Sequence, residues 1–287
     1  MNLPDILSFP DIKQRIREAL AEDLGPDRLD ATTVALVPKG EQAAANLVMR
    51  EHGILSGAPV AAEVFRQVEP ALEVKLHQPD GSALSAGDTV LTVTGPARGI
   101  LIAERTALNF IQRMTGIATM TRRYVDEANN SAVLILDTRK TTPVLRTFEK
   151  YAVLCGGGTN HRYGLFDHVL IKDNHLAHRT RAGGTLAGAV NEARRQYPQL
   201  LIEVEVDTIE QLKEVLTAKP DWVLLDNIPP LKLRECVKLC AGICKTEASG
   251  GVNLTTIREI AKTGVDAVSV GALTHSAPSA DLALDFV

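Results

Sequence analysis

Four cysteines in 287 residues, at positions 155, 236, 240 and 244, are too few for a disulfide scaffold. Cys236, Cys240 and Cys244 fall in one short stretch, but without a nearby fourth ligand or a finger or ribbon spacing, so buried free thiols are expected rather than a zinc site. Cys155 closes a helical stretch just before Gly156-Gly157-Gly158, where the helix dipole disfavours a thiolate, which argues against a cysteine nucleophile. No apolar run reaches the roughly 20 residues that cross a bilayer. Met1-Asn2-Leu3-Pro4-Asp5 opens without a basic leader, so a cytoplasmic protein with no membrane partner is expected. Positive charge is not in excess. With 31 Lys plus Arg against 35 Asp plus Glu the net charge is -4, which leaves no broad field to hold nucleic acid. The His-Glu-x-x-His, Gly-x-Ser-x-Gly, kinase, Walker and dinucleotide signatures are also missing, so zinc hydrolase and acyl-enzyme chemistry have little support.

What the chain does have is cation density in one place. Asp137-Thr138-Arg139-Lys140-Thr141, His161-Arg162 and Ile171-Lys172-Asp173-Asn174-His175 lie in a cationic stretch that runs from Arg139 to Arg181. Inside an acidic protein such a cluster points to a pocket for a small, multiply charged anion.

The hydrophobic pattern has two regimes. From residue 132 onward, short apolar runs end in polar or small residues: Val133 to Leu136 then Asp137, Val169 to Ile171 then Lys172, Leu201 to Val206 then Asp207, Trp222 to Leu225 then Asp226, Ile243 to Thr246 then Glu247, and Ala267 to Val270 then Gly271. Helical periodicity fills the intervals at Ile209 to Leu216, Leu231 to Leu239 and Leu254 to Ala261, and such β-α alternation specifies a parallel sheet. Glycine turns of phosphate-binding type follow the last two strands, the habit of an α/β barrel rather than of a doubly wound sheet. Six strands are recognisable, which favours an incomplete barrel. The first part instead shows an opening helix, Ile12 to Leu24, and strands near 44–49, 72–76 and 90–93 without crossover helices, an α+β layer. A long helix from about Ile100 to Ala128 joins the two, with Arg105, Asn109, Gln112 and Gly116 forming a polar stripe. The expected division is 1–116 for the first layer and 117–275 for the barrel, with residues about 276–287 a candidate for return to the first.

In a parallel α/β protein the C-terminal strand ends face the ligand, which puts Arg139, Lys140, Lys172, Asp173, Asp226, Glu247 and Gly271 on one rim. Guanidinium forks on Arg139 and Arg162 suit the two oxygens of planar carboxylates, with His161 as a further donor. Lys140 and Lys172 suit a phosphate or a departing anion. Within Glu203-Val204-Glu205-Val206, alternation sends both carboxylates to one face, where they are costly unless paired or used. Glu205 with Asp226 can hold ribose hydroxyls, bind Mg²⁺ or stabilise a carbocation. The competing use of these acids is an ion-pair network with Lys140 or Lys172. Ser249-Gly250-Gly251 and Gly271-Ala272, on successive strands, together make a phosphate cradle that His275 is placed to cap.

In this order the residues resemble the quinolinate phosphoribosyltransferase family across nearly the whole chain. The resemblance is carried by Glu104 to Asn109, Asp137 to Thr141, Lys150 to Val153, Gly156 to Arg162, Leu170 to His175, Glu203 to Val206, Leu225-Asp226-Asn227 and Ser269 to Thr274. It implies an N-terminal α/β sandwich followed by an open, seven-stranded α/β barrel, and a homodimer with shared active sites. It implies transfer from phosphoribosyl pyrophosphate to quinolinate with decarboxylation, giving nicotinate mononucleotide, pyrophosphate and CO₂. By the same resemblance Arg105, from the partner, joins Arg139, His161 and Arg162 at the quinolinate carboxylates. Lys140 and Lys172 stand at the reacting centre, Glu205 and Asp226 at the ribose and a Mg²⁺ ion. Thr138, Ser249, Gly250, Gly251, Gly271, Ala272 and His275 complete the sugar-phosphate site. Two positions depart from the family pattern: Thr142-Pro143-Val144 stands where Leu-Pro-Gly is usual, and Ala248 where Ser or Val is frequent. The alternatives are a related phosphoribosyltransferase acting on nicotinate or another acceptor, and a non-catalytic binder of a phosphorylated metabolite.

Overall fold

The computed structural model describes residues 3–130, 132–176 and 183–287. Arg181, the far end of the cationic stretch, lies outside the described residues. The chain forms two compact units. One holds the chain up to Arg122 together with Thr141–Gly157 and Leu273–Val287, and the other holds Arg123–Lys140 with Gly158–Ala272.

The first unit is built on an antiparallel sheet in the order β12-β1-β5-β3, from β1 (Gln42–Met49), β3 (Glu73–Leu76), β5 (Thr89–Pro96) and β12 (Leu282–Phe286). β2 (Gly53–Ile54) and β4 (Ala83–Leu84) make a separate short pair. The C-terminal residues therefore return to this layer, with Leu47 opposite Leu284. Helices Ile12–Leu24 and Ala58–Val68 pack together over it and bury Ile12, Ile16, Val64 and Phe65. Gly57, at φ 98°, has no side chain to cap the second helix, so the half-buried Asp80 accepts the N–H groups of Gly57 and Ala58 instead.

The long helix spans Ala97–Ala128. Its polar stripe is not one solvated face. Arg105 and Asn109 are exposed, whereas Gln112 donates to the carbonyl of Leu282 (2.8 Å), and a Cβ on Gly116 would lie 1.9 Å from the carbonyl oxygen of Pro278. Glycine at 116 is thus required by close backbone approach rather than by helix polarity.

Among the described residues the second unit carries six parallel strands: β6 (Leu134–Leu136), β7 (Val169–Ile171), β8 (Ile202–Val206), β9 (Trp222–Asp226), β10 (Lys245–Ser249) and β11 (Ala267–Ser269). Their spatial order, β6-β11-β10-β9-β8-β7, sets the first strand beside the last, so the sheet rolls round on itself. On the other side of β6, Thr159 forms an isolated parallel bridge with Leu136. Among the described residues the sheet therefore has six strands and this one bridge, where seven strands are expected. Helices Leu186–Gln196, Ile209–Leu216, Pro230–Cys240 and Ile257–Ala261 supply the crossovers. The first two are capped by Thr185 and Thr208, whose hydroxyls accept the N–H groups of Gly188 and Gln211.

β10 starts two residues later than the apolar run at Ile243 suggests: Ile243 and Cys244 stay outside the strand and Lys245 opens it. Glu247 is consequently not at the rim. It sits in the middle of β10, 1% exposed, level with Leu224 of β9.

Candidate active site

The strand ends of the second unit surround a cavity of about 600 Å³. Thr138, Arg139, Lys140, His161, Arg162, Lys172, Glu205, Asp226, Ser249, Gly250 and Gly251 all line it, together with Leu170, Leu224, Asn227, Glu247 and Ser269. Residues up to 113 positions apart in the chain, Thr138 to Gly251, converge because every parallel strand delivers its C-terminal end to one rim.

Cations hold one part of the cavity. The Thr138 hydroxyl accepts the N–H of Lys140 (3.0 Å), a local turn that sends Arg139 and Lys140 off the end of β6. Nε of Arg139 is buried and has no hydrogen-bond partner among the described residues. Arg162 donates from Nη1 to the carbonyl of His168 (3.1 Å), which orients its guanidinium. Its pKa is pushed down, first by burial and then by the charge of Arg139. Two guanidinium groups thus crowd one desolvated place, an arrangement that an anion with two carboxylates would relieve.

Beneath them lies a buried acidic cluster. Alternation in β8 turns Glu203 and Glu205 inward while Val204 and Val206 pack outward, and Glu203 is 1% exposed. Nε2 of His161 lies 3.1 Å from Glu203 Oε2 and 3.2 Å from Glu247 Oε2, so β8 and β10 meet across the barrel interior. The backbone N–H of His161 donates to the fully buried Asp137 (2.9 Å), and its Nδ1 accepts the N–H of Arg162 (2.7 Å). Burial opposes charge on this ring, but hydrogen bonds to Glu203 and Glu247 outweigh it and push His161 up to about 10. The Arg162 N–H pointing at Nδ1 works against a second proton there, while the proton on Nε2, between the two carboxylates, is held in either charge state. Glu203 is itself pushed up to about 7, chiefly by burial and next by Glu247. His168 stacks on His161 with ring centroids 5.5 Å apart and is pushed down to about 4, first by burial, then by His161 and Arg162.

His161, His168 and Glu203 bring one donor atom each within 4.8 Å of one another, a spacing that a metal could also use. A metal at Nε2 would require a proton on Nδ1, where the Arg162 N–H already donates, so the geometry describes a hydrogen-bonded cluster. The hard oxygen donors stand elsewhere on the rim. Glu205, more open than Glu203, pairs with Lys172 at 3.5 Å, and Asp226 accepts from the amide of Asn227 at 2.7 Å. The Lys172–Glu205 pair is the ion-pair alternative raised by the sequence, and it is located inside the cavity rather than away from it.

Gly250 (φ 89°) and Gly251 (φ 61°) follow β10 in a left-handed turn that only glycine adopts without strain. Gly271 and Ala272 follow β11, whose Ser269 lines the cavity, but neither is among the lining residues. His275 and Arg105 belong to the first unit; both are exposed, and Nδ1 of His275 lies 2.6 Å from the hydroxyl of Ser276. Asn227 and Ser269 carry no role in the sequence reading. For Asn227 a signal existed in its place directly after Asp226 at a strand end; Ser269 gives none.

The cysteines play no part in this cavity. All four are free. Cys155 is buried against Ser56 and pushed up to about 12 by burial first, which leaves an inert thiol.

Comparison with known proteins agrees with this geometry. The family description "Quinolinate phosphoribosyl transferase, N-terminal domain" matches residues 30–115, and "Quinolinate phosphoribosyl transferase, C-terminal domain" matches residues 117–285. The chain is 44% identical over 282 residues to the nicotinate-nucleotide pyrophosphorylase (carboxylating) of Mycobacterium leprae, covering 96% of this chain and 98% of that protein. To the chloroplastic nicotinate-nucleotide pyrophosphorylase (carboxylating) of Arabidopsis thaliana it is 41% identical over 293 residues, covering 96% and 82%. The solved structure of the nicotinate-nucleotide pyrophosphorylase from Francisella tularensis superposes with a TM-score of 0.92 at 38% identity, covering 100% of both chains. Two domain matches in sequence order, and this identity over almost the full length of its relatives, show that the chain belongs to the quinolinate phosphoribosyltransferase family.

Proposed function

We infer that the chain is the enzyme that transfers the phosphoribosyl group of phosphoribosyl pyrophosphate to quinolinate, with loss of CO₂, to give nicotinate mononucleotide in NAD biosynthesis. The observation that carries this reading is that Arg139 and Arg162 crowd together in a cavity also lined by Glu205, Asp226 and the Ser249-Gly250-Gly251 turn. The first pair suits a di-acid and the second set an activated sugar phosphate.

The chemistry follows from the charge layout. As the ribosyl carbon loses pyrophosphate it takes on oxocarbenium character, which carboxylates such as Glu205 and Asp226 stabilise, while Lys140 and Lys172 offset the charge on the departing anion. Glu205 and Asp226 offer the oxygen donors that Mg²⁺ takes, and would hold it directly or through water; bound there, it would neutralise leaving-group charge. Arg139 and Arg162 orient the pyridine nitrogen toward the sugar through its carboxylates. Once ribosylated, that nitrogen is cationic and stabilises the electron pair left on the adjacent ring carbon as its carboxylate departs as CO₂; one proton from solvent then takes the carboxylate's place. The reading includes a homodimer in which Arg105 of the partner subunit reaches the quinolinate end, supported by the exposure of Arg105 on its helix. It also includes a cytoplasmic setting, supported by four free cysteines. Among the described residues no helix is long and apolar enough to cross a membrane.

The test is to supply phosphoribosyl pyrophosphate, Mg²⁺ and either quinolinate or nicotinate, and to follow pyrophosphate and CO₂. One CO₂ per pyrophosphate with quinolinate, and no turnover with nicotinate, is the expected result; turnover of nicotinate alone would transfer the chain to the mono-acid reaction. Arg139→Ala and Arg162→Ala should each raise the quinolinate KM by roughly 10- to 100-fold, the loss of one charge-assisted bond. The sugar-substrate KM should move less than about threefold, and equal losses for both substrates would defeat the assignment of the clamp.

A further inference from the structure

Asp226 and the glycine turn belong to different strands, and a carboxylate on one must keep a fixed distance from the phosphate cradle on the other if both are to grip one sugar. The residue between them is Asn227. It follows β9 directly and takes a left-handed backbone, φ 53°, which asparagine tolerates better than most side chains. Its Nδ2 donates to Asp226 Oδ2 at 2.7 Å, and its backbone N–H donates to the carbonyl of Ser249 at 2.9 Å. Its Oδ1 lies so close to Gly250 that a Cβ there would come within 2.2 Å of it. Asp226 and Ser249 are register partners in the β9–β10 ladder, and Asn227, Asp226, Ser249 and Gly250 all line the same cavity.

We propose that Asn227 is a positioning residue for the phosphoribosyl pyrophosphate end of the site: its amide holds the Asp226 carboxylate, while its side-chain oxygen packs on Gly250 and sets the gap between ribose and phosphate contacts. The inference rests on the phosphoribosyl transfer proposed above. A left-handed residue after a strand could serve backbone geometry alone, and the two roles separate cleanly by substitution. Glycine adopts φ 53° freely, so Asn227→Gly keeps the turn and removes only the amide. Asn227→Asp keeps the shape of the side chain but replaces the donor to Asp226 with a second carboxylate.

The experiment compares wild type, Asn227→Gly and Asn227→Asp for KM of each substrate and for kcat, with thermal melting to verify folding. Asn227→Gly should raise the phosphoribosyl pyrophosphate KM about tenfold, the loss expected for a hydrogen bond to a charged group, with the quinolinate KM within about twofold of wild type. Asn227→Asp should show the same split to a larger degree, and it carries the test if the glycine variant does not fold. Unchanged constants, equal shifts for both substrates, or a change in kcat alone would overturn the role of Asn227. A wild-type chain that releases no pyrophosphate and CO₂ from the two substrates would instead overturn the reaction itself.

Discussion

At the scale of single residues, environment divides side chains of one type between different tasks. Glu203 and Glu205 are two positions apart on one face of β8, yet Glu203 is locked below the cavity with His161 and Glu247 while Glu205 reaches Lys172 at the rim. His161 and His168 are stacked, yet their pKa values are driven apart, to about 10 and about 4. The lowered value has a consequence for stability. The unfolded chain protonates His168 near its ordinary 6.5 and the folded chain only near 4. Its stabilising contribution is therefore complete above about pH 6.5 and lost as pH falls through about 4, on the order of 3 kcal/mol in all. Melting temperatures between pH 7 and 4 should fall more steeply for wild type than for His168→Gln, and parallel curves would show that His168 does not take up the proton. Alternation made the inward direction of both glutamates legible in sequence. The burial that separates their roles was not, because it depends on which strand lies opposite.

At the scale of elements, the turns that follow the strands matter more than the strands. Thr142, two residues beyond Lys140, donates through its N–H and its hydroxyl to Glu149, which is 1% exposed. Arg113 of the long helix donates to the same carboxylate and to the carbonyls of Thr274 and Ala277. One ion pair in the first unit, its carboxylate buried, thus fixes both the turn at Thr142 and the turn that carries His275. Within the first of these turns Val144 has φ 62° and is 61% exposed. A β-branched residue in the left-handed region is strained, whereas glycine adopts it freely. Val144→Gly should therefore stabilise the fold by about 1 kcal/mol, net of the added freedom of the unfolded chain, and raise Tm by roughly 2–4 °C. An unchanged or lower Tm would mean that the turn carries no strain. The departure from Leu-Pro-Gly was visible in sequence; that it falls on a left-handed residue was not, since φ at 144 is set by how Thr142 and Leu145 are tied down.

At the scale of the whole molecule, the proposed dimer makes its own prediction. If Arg105 serves the partner's cavity, a mixture of Arg105→Ala and Lys140→Ala subunits should recover part of the activity, up to about one quarter of wild type for random pairing with one intact site per mixed dimer. Verified heterodimers that stay inactive would remove Arg105 from the shared site. The linear chain was sufficient for the β-α alternation, the parallel sheet, the rim of strand ends and the Arg139, Arg162, Glu205 and Asp226 constellation, because hydrophobic period and residue chemistry are local properties. Glu247 could not be placed that way: its strand begins at Lys245 rather than at the apolar Ile243, a shift that only pairing with β9 decides. The register that sets residues 282–286 against β1, the single bridge from Thr159 to Leu136, and the link from Asn227 to Gly250 have the same origin. Each depends on a contact between segments far apart in the chain, and such contacts exist only once the core has formed.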